Sequence, residues 1–119
     1  MAINFAAANM AGYNNPKIKI VPVTIEAGEV INPPRYTELS NICKSGEYPV
    51  IHATDNDRGL YYILPISSYL TNSTDGIDNL TFCATYSRGS SLYAVAVTFY
   101  SDNTAPFVEV YDISTGKPK

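Results

Sequence analysis

From Tyr48 to Ile113 the chain reads as five strand-like segments, YPVIHA, LYYILPI, NLTFCATY, SLYAVAVTFY and PFVEVYDI. Between them lie TDNDRG, SSYLTNSTDGID, SRGS and SDNTA, each rich in residues that turns prefer. A parallel return needs a dozen or more residues and usually a helix, so these connections predict antiparallel neighbours. The expected strands cover about 48–53, 60–66, 79–86, 91–100 and 106–113, with SSYLTNSTDGID as a loop.

Two further elements precede this run. KIKIVPVTIE, residues 17–26, alternates as a strand does, with Ile18, Ile20 and Pro22 on one side and Val21, Val23 and Ile25 on the other. Pro22 places it at a sheet edge or breaks it there. AGE at 27–29 supplies a turn. NPPRYTELSNICKSGEY then carries the one helix signal, about 34–45: Asn32 as cap, prolines in the first turn, and Gly46 to end it. Tyr36, Leu39, Ile42 and Cys43 recur at helical spacing and form the stripe that packs on the sheet. The fold class expected is α+β, mainly β: an antiparallel meander with one amphipathic helix packed on it and an extended N-terminal arm. A full αβα sandwich is excluded because only one helix is on offer.

Both faces of the expected sheet are apolar. In SLYAVAVTFY, Tyr93, Val95, Val97 and Phe99 alternate with Leu92, Ala94, Ala96, Thr98 and Tyr100, and neither set holds a charge. One helix covers one face, so the other calls for a further layer, either the N-terminal strand or a neighbouring subunit.

The opening, MAINFAAANMAGYNNP, has no charge before Lys17. It lacks the basic region and continuous apolar core of a secretory signal, and its apolar runs are too short for a membrane span. That leaves a short helical patch around Phe5 to Met10, a disordered tail, or an extended arm that lies on a partner, and its apolar residues suit the arm, with Ile3, Phe5, Met10 and Tyr13 as the contacts. The chain therefore divides into an uncharged docking arm, 1–16, and one mainly β domain, 17–119.

Eight Lys and Arg against eleven Asp and Glu give a net charge of −3 without any basic run, which argues against nucleic acid as a partner. Cys43 and Cys83 are expected as buried thiols and not as a disulfide. The two sequons beginning at Asn72 and Asn79 carry meaning only in a eukaryotic secretory route.

Few residues suggest site chemistry. DNDRG, Asp55 to Gly59, has the carboxylates of a calcium loop, but an EF-hand needs its glycine at the sixth position and an acid at the twelfth, where Ile66 stands. It reads as a hairpin loop. His52, the one histidine, has no second histidine to share a metal, and no motif joins it to Cys43 or Cys83 as a nucleophile pair. No catalytic, cofactor-binding or metal residue is assigned, and no cofactor is expected. The ten tyrosines are the more informative group. Tyrosine offers a large contact area with a hydroxyl at its tip, so Tyr61, Tyr62, Tyr69, Tyr93 and Tyr100 are the candidate oligomer or ligand surface.

The succession RYTELSNICKSGEYPVI, YYILPISSYL, FCATYSRGSSLYAVAVTFYSDNT and VEVYDI, over about residues 34–113, resembles small virion proteins of tailed bacteriophages infecting gut bacteria. That resemblance rests on pattern and turn residues. It implies a non-enzymatic head-fibre or capsid-decoration subunit, present in virions assembled in the bacterial cytoplasm. The partners it implies are copies of itself, a trimer first and a dimer second, and capsid or portal proteins, with neither nucleic acid nor membrane. The alternatives are a glycan-binding surface module of a gut bacterium or phage appendage, bound to host glycan, and, last, a small hydrolase.

Overall fold

A computed structural model describes residues 17–74, 76–114 and 117–118. The docking arm and its Ile3, Phe5, Met10 and Tyr13 lie outside the described residues. In chain order the elements are β1 (Ile18–Glu26), β2 (Glu29–Val30), α1 (Tyr36–Lys44), β3 (Tyr48–Asp55), β4 (Leu60–Thr74), β5 (Ile77–Arg88), β6 (Ser91–Tyr100), β7 (Phe107–Asp112) and β8 (Lys117–Pro118). They form one sheet in the order β2-β1-β3-β4-β5-β6-β7-β8. The protein is mainly β, with one helix packed against the sheet.

From β3 onward the sheet is the antiparallel meander that the short turns require. At its start the pattern changes: β1 pairs with β3 in parallel from Ile18↔Tyr48 to Ile25↔Asp55. The connection between them, which contains α1, is long enough for a crossover. The N-terminal strand therefore extends the sheet and does not cover its second face. Pro22 is accommodated because even-numbered residues of β1 turn their backbone to the outer edge: Thr24 receives the Ile31 N–H there at 2.9 Å and donates its own to Asn32 Oδ1 at 2.6 Å.

That second bond changes the role expected of Asn32. It ties β1 instead of capping the helix, and Arg35 holds the N-cap position. The reason lies in Pro33-Pro34, since a residue before proline is pushed away from helical geometry and the helix must begin later. The other end follows expectation. Gly46, at φ 86°, takes the left-handed position, and the Glu47 N–H reaches back to the Ile42 carbonyl at 3.1 Å.

The segment SSYLTNSTDGID is not a loop. β4 continues to Thr74 and β5 starts at Ile77, with Thr74 paired to Ile77 at the start of an antiparallel ladder. Serine and asparagine disguised the strand, yet backbone pairing with β5 needs no apolar side chain. The pairing is irregular, with register shifts between Ile66 and Ser68 and between Ser68 and Asn72. Extra residues of this kind bend a strand and increase its twist.

The bend lets the sheet curl over itself. Ile25, Ile51 and Leu64 from one half, and Leu80, Phe82 and Val97 from the other, are fully buried in a single cluster, and Tyr36 and Leu39 of α1 join it. Gly28 and Arg58 line a cavity together with residues 107–111 of β7, which brings the β1–β2 turn to the far part of the sheet. The inner face is thus covered by the sheet's own opposite half as well as by α1. Of the helix stripe, Tyr36 and Leu39 are buried, while Ile42 and Cys43 are only half-buried. No disulfide joins Cys43 and Cys83, and Cys83 is exposed where burial was expected, because it alternates with the buried Phe82 and faces outward.

Phe82 and Phe99 meet edge to face at 5.8 Å in the middle of this core. Phe82→Ala should cost about 3–5 kcal/mol by urea denaturation, while Cys83→Ser next to it should stay within about 0.5 kcal/mol, as an exposed substitution does.

Candidate functional site

In a meander the first and third turns fall at the same end, and here they are the two that carry Arg-Gly. Gly59 and Gly89, at φ 63° and 62°, make the tight left-handed steps. Arg58 and Arg88 stand just before them. The β1–β2 turn arrives at the same end, so three connections converge there.

Asp55, the last residue of β3, organises the group. It alternates inward with Ile51 and Ala53 and is completely buried. Burying a carboxylate is expensive unless its lone pairs are satisfied. Asp55 Oδ1 accepts the backbone N–H groups of Asp57 and Arg58 at 3.1 and 3.3 Å. Its Oδ2 accepts Arg58 Nη1 at 2.6 Å and the Tyr62 hydroxyl at 2.9 Å. Burial works against the charge of Arg58, but the hydrogen bond and charge of Asp55 outweigh it and hold the guanidinium protonated. The Tyr62 phenol is pushed far above its ordinary range, first by burial and then by its bonds to Tyr86 and Asp55.

From Tyr62 the network runs outward. Its hydroxyl lies 3.1 Å from that of Tyr86, and Tyr86 stacks on Tyr93 with ring centres 5.2 Å apart. Arg88 Nη1 donates to the Arg58 carbonyl at 3.1 Å, joining the two Arg-Gly turns. Arg58, Leu60, Tyr86, Arg88 and Tyr93 enclose a cleft of about 270 Å³.

Asp57 points the other way. Its two carboxylate oxygens accept the N–H groups of Ala27 and Gly28 at 2.9 and 2.8 Å. These bonds, Ala27 first, hold the Asp57 carboxyl below its usual range. They also fix a turn in which Ala27, with φ 54°, adopts a conformation that side chains other than glycine rarely take. The carboxylates of DNDRG therefore diverge, one into the core and one onto a neighbouring turn. Among the described residues no group of three or more His, Cys, Asp and Glu side chains is placed to hold a metal.

The second feature is the outer face of β1, β3 and the first half of β4. Its cross-strand rows are Ile18–Tyr48, Ile20–Val50–Pro65, Pro22–His52–Ile63 and Thr24–Thr54–Tyr61, and none contains a charged side chain. Tyr48 and Tyr61 are 53 and 54 % exposed, Ile20 46 % and Ile63 37 %. His52 meets Tyr61 edge to face at 5.4 Å, and partial burial lowers its pKa, so it is neutral at pH 7. No helix among the described residues is long and apolar enough to cross a membrane.

Protein-family models, curated proteins and solved structures give no match to this chain.

The tyrosines proposed from sequence do not share one surface. Tyr61 lies on the outer face, Tyr93 stacks on Tyr86 at the cleft, and Tyr100 lines a different cavity with Pro33, Pro34 and Tyr36. Tyr62 is 3 % exposed and offers no surface, because it alternates with Tyr61 and turns into the core. The side chain of Tyr69 lies outside the described part. Sequence reasoning missed Asp55, Arg58, Tyr86 and Arg88 as a group. The repeated Arg-Gly in the first and third turns of a meander was the signal that could have joined them.

The pKa depression at Asp57 makes its contribution pH-dependent. Because the folded value lies below the unfolded one, that stability is complete above an unfolded pKa of about 3.9 and is lost as pH falls through the native value. Urea midpoints of the wild type and Asp57→Asn, measured from pH 7 to pH 2.5, should differ most near neutrality and converge at the acid end. A constant gap across the range would show that the carboxylate charge is not what holds the 27–28 turn.

Proposed function

We propose that this chain is a non-enzymatic structural subunit that works in many copies, contacting a second copy of itself through the outer face of β1, β3 and β4. The observation that carries this reading is the absence of charged side chains from the four cross-strand rows between Ile18 and Tyr61, which Glu26 and Glu29 border at one end. A charged partner would find no complement on it, since even His52 is neutral at pH 7. A second copy brings the same uncharged surface.

Size decides how such a contact would act. Three strands about 4.8 Å apart and seven residues rising about 3.3 Å each give a flat footprint of roughly 300 Å². A standard stable interface buries about 800 Å² on each partner. One face-to-face contact is therefore weak, and it becomes effective where several contacts or a tethering arm act together. The virion of a tailed phage, with the chain as a head-fibre or capsid-decoration subunit, is the setting to which the resemblance over 34–113 points. There the uncharged segment 1–16, with Ile3, Phe5, Met10 and Tyr13, would anchor the subunit on a capsid or portal protein.

Light scattering on the full chain tests the contact. Mass should rise with concentration through the micromolar range, and Ile20→Lys combined with Ile63→Lys should hold the protein monomeric without lowering its melting temperature. A wild type that stays monomeric throughout, or a double variant that associates as before, would remove the outer face from the assembly.

A further inference from the structure

We propose that the cleft between the two Arg-Gly turns binds a sugar carboxylate, with Arg88 and Arg58 holding the carboxylate and Tyr93 and Leu60 facing the ring. This site is separate from the outer face and independent of self-association.

The charge balance sets the first requirement. Asp55 compensates Arg58 through a single nitrogen, Nη1, while Arg88 spends its Nη1 on a neutral carbonyl. A guanidinium carries five N–H donors, so both residues retain donors for a ligand. Among the described residues no carboxylate forms an ion pair with Arg88. Asp112 lies opposite Tyr93 on β7 and accepts the Ser114 N–H at 2.9 Å. Arg88 is thus the cleft guanidinium with which no described carboxylate forms an ion pair, and it offers a monoanion its complement. Carboxylate geometry matches the fork of a guanidinium better than a point charge would.

Preorganisation is the second requirement. Arg58 is held by the fully buried Asp55, and its carbonyl holds Arg88 in turn, so the two guanidinium groups are positioned before a ligand arrives. Ordering costs that usually weaken small-ligand binding are thereby reduced.

The walls distinguish a sugar from a flat aromatic acid. Leu60 and the Tyr86–Tyr93 stack supply apolar surface, but the rim is polar: the Tyr86 hydroxyl has bonding capacity beyond Tyr62, and the arginines have donors to spare. A ring with hydroxyl groups occupies those positions, whereas an aromatic acid leaves them unmatched. At about 270 Å³ the cleft lies below the 300–1,000 Å³ usual for drug-sized ligands, so it takes one ring and not an extended chain.

The test is titration of the full chain with glucuronate, glucose and benzoate, followed by calorimetry and by the tyrosine ring resonances. Glucuronate should saturate and shift the Tyr86 and Tyr93 signals, with glucose at least about tenfold weaker for want of the carboxylate. Arg88→Gln should weaken glucuronate by at least about tenfold at an unchanged melting temperature, and Arg88→Lys should recover part of the loss. The proposal fails if glucuronate does not saturate, if its signals map away from Tyr86 and Tyr93, or if Arg88→Gln binds as the wild type does. Benzoate binding as tightly as glucuronate would overturn the assignment to a sugar.

Discussion

The irregular pairing in the middle of β4 is the constraint on which the rest of the molecule depends. With one nine-residue helix among the described residues, a second helical layer does not account for burial of the sheet's inner face. The fifteen residues of β4 solve this by belonging to both halves, pairing with β3 from Leu60 to Pro65 and with β5 from Ile66 onward. The register shifts at Ser68 bend the strand between these two commitments. A regular β4 would keep the halves in one plane and leave Leu64 and Leu80, now buried in one cluster, without that shared cover.

The curl also creates the charged end. Bringing the β1–β2 turn towards β7 places Asp57 under Ala27 and Gly28, and it turns Asp55 inward at a point where no solvent reaches it. Four hydrogen bonds to Asp55 then do for the carboxylate what water would have done. Two come from backbone N–H groups of the same turn, so the loop conformation and the buried charge require each other. Removing either partner of such a pair costs more than the pair itself contributes. The consequence for the site is rigidity. Arg58 and Tyr86 are held from behind, through the core, and the cleft they border is built from the same contacts that stabilise the turn.

Much of the fold was legible in local patterns, because alternation and turn chemistry act over a few residues. The strands at 48–55 and 91–100, the Gly46 helix stop and the edge position of Pro22 all come from such signals. Three features required tertiary knowledge. Parallel pairing of β1 with β3 depends on where α1 packs, the strand through 67–74 is written in polar residues, and the exposure of Cys83 depends on which face of β5 turns inward. At the site, the uncharged rows could be anticipated from KIKIVPVTIE and YPVIHA, although the N-terminal strand extends the sheet in place of covering it. The Asp55 network could not, since DNDRG looks like any solvated loop until the curl buries its first residue.

The sheet's edges bear on how copies of this chain can meet. An open edge invites another strand, and addition there leads to unlimited growth. On one side, among the described residues, β1 is flanked by the two-residue β2, and beyond it Pro22 withholds a donor that an incoming strand would need. On the other side β7 is followed by the two-residue β8, which itself contains Pro118. Both edges are thus short or interrupted among the described residues, while four rows of the outer face of β1, β3 and β4 carry no charge and expose Ile20, Tyr48, Tyr61 and Ile63 around the buried Val50. Contact through a face buries a fixed set of side chains and stops when that face is covered, whereas contact through an edge exposes a new edge each time. If copies meet through that face, as proposed, blunted edges would keep their association to a limited order.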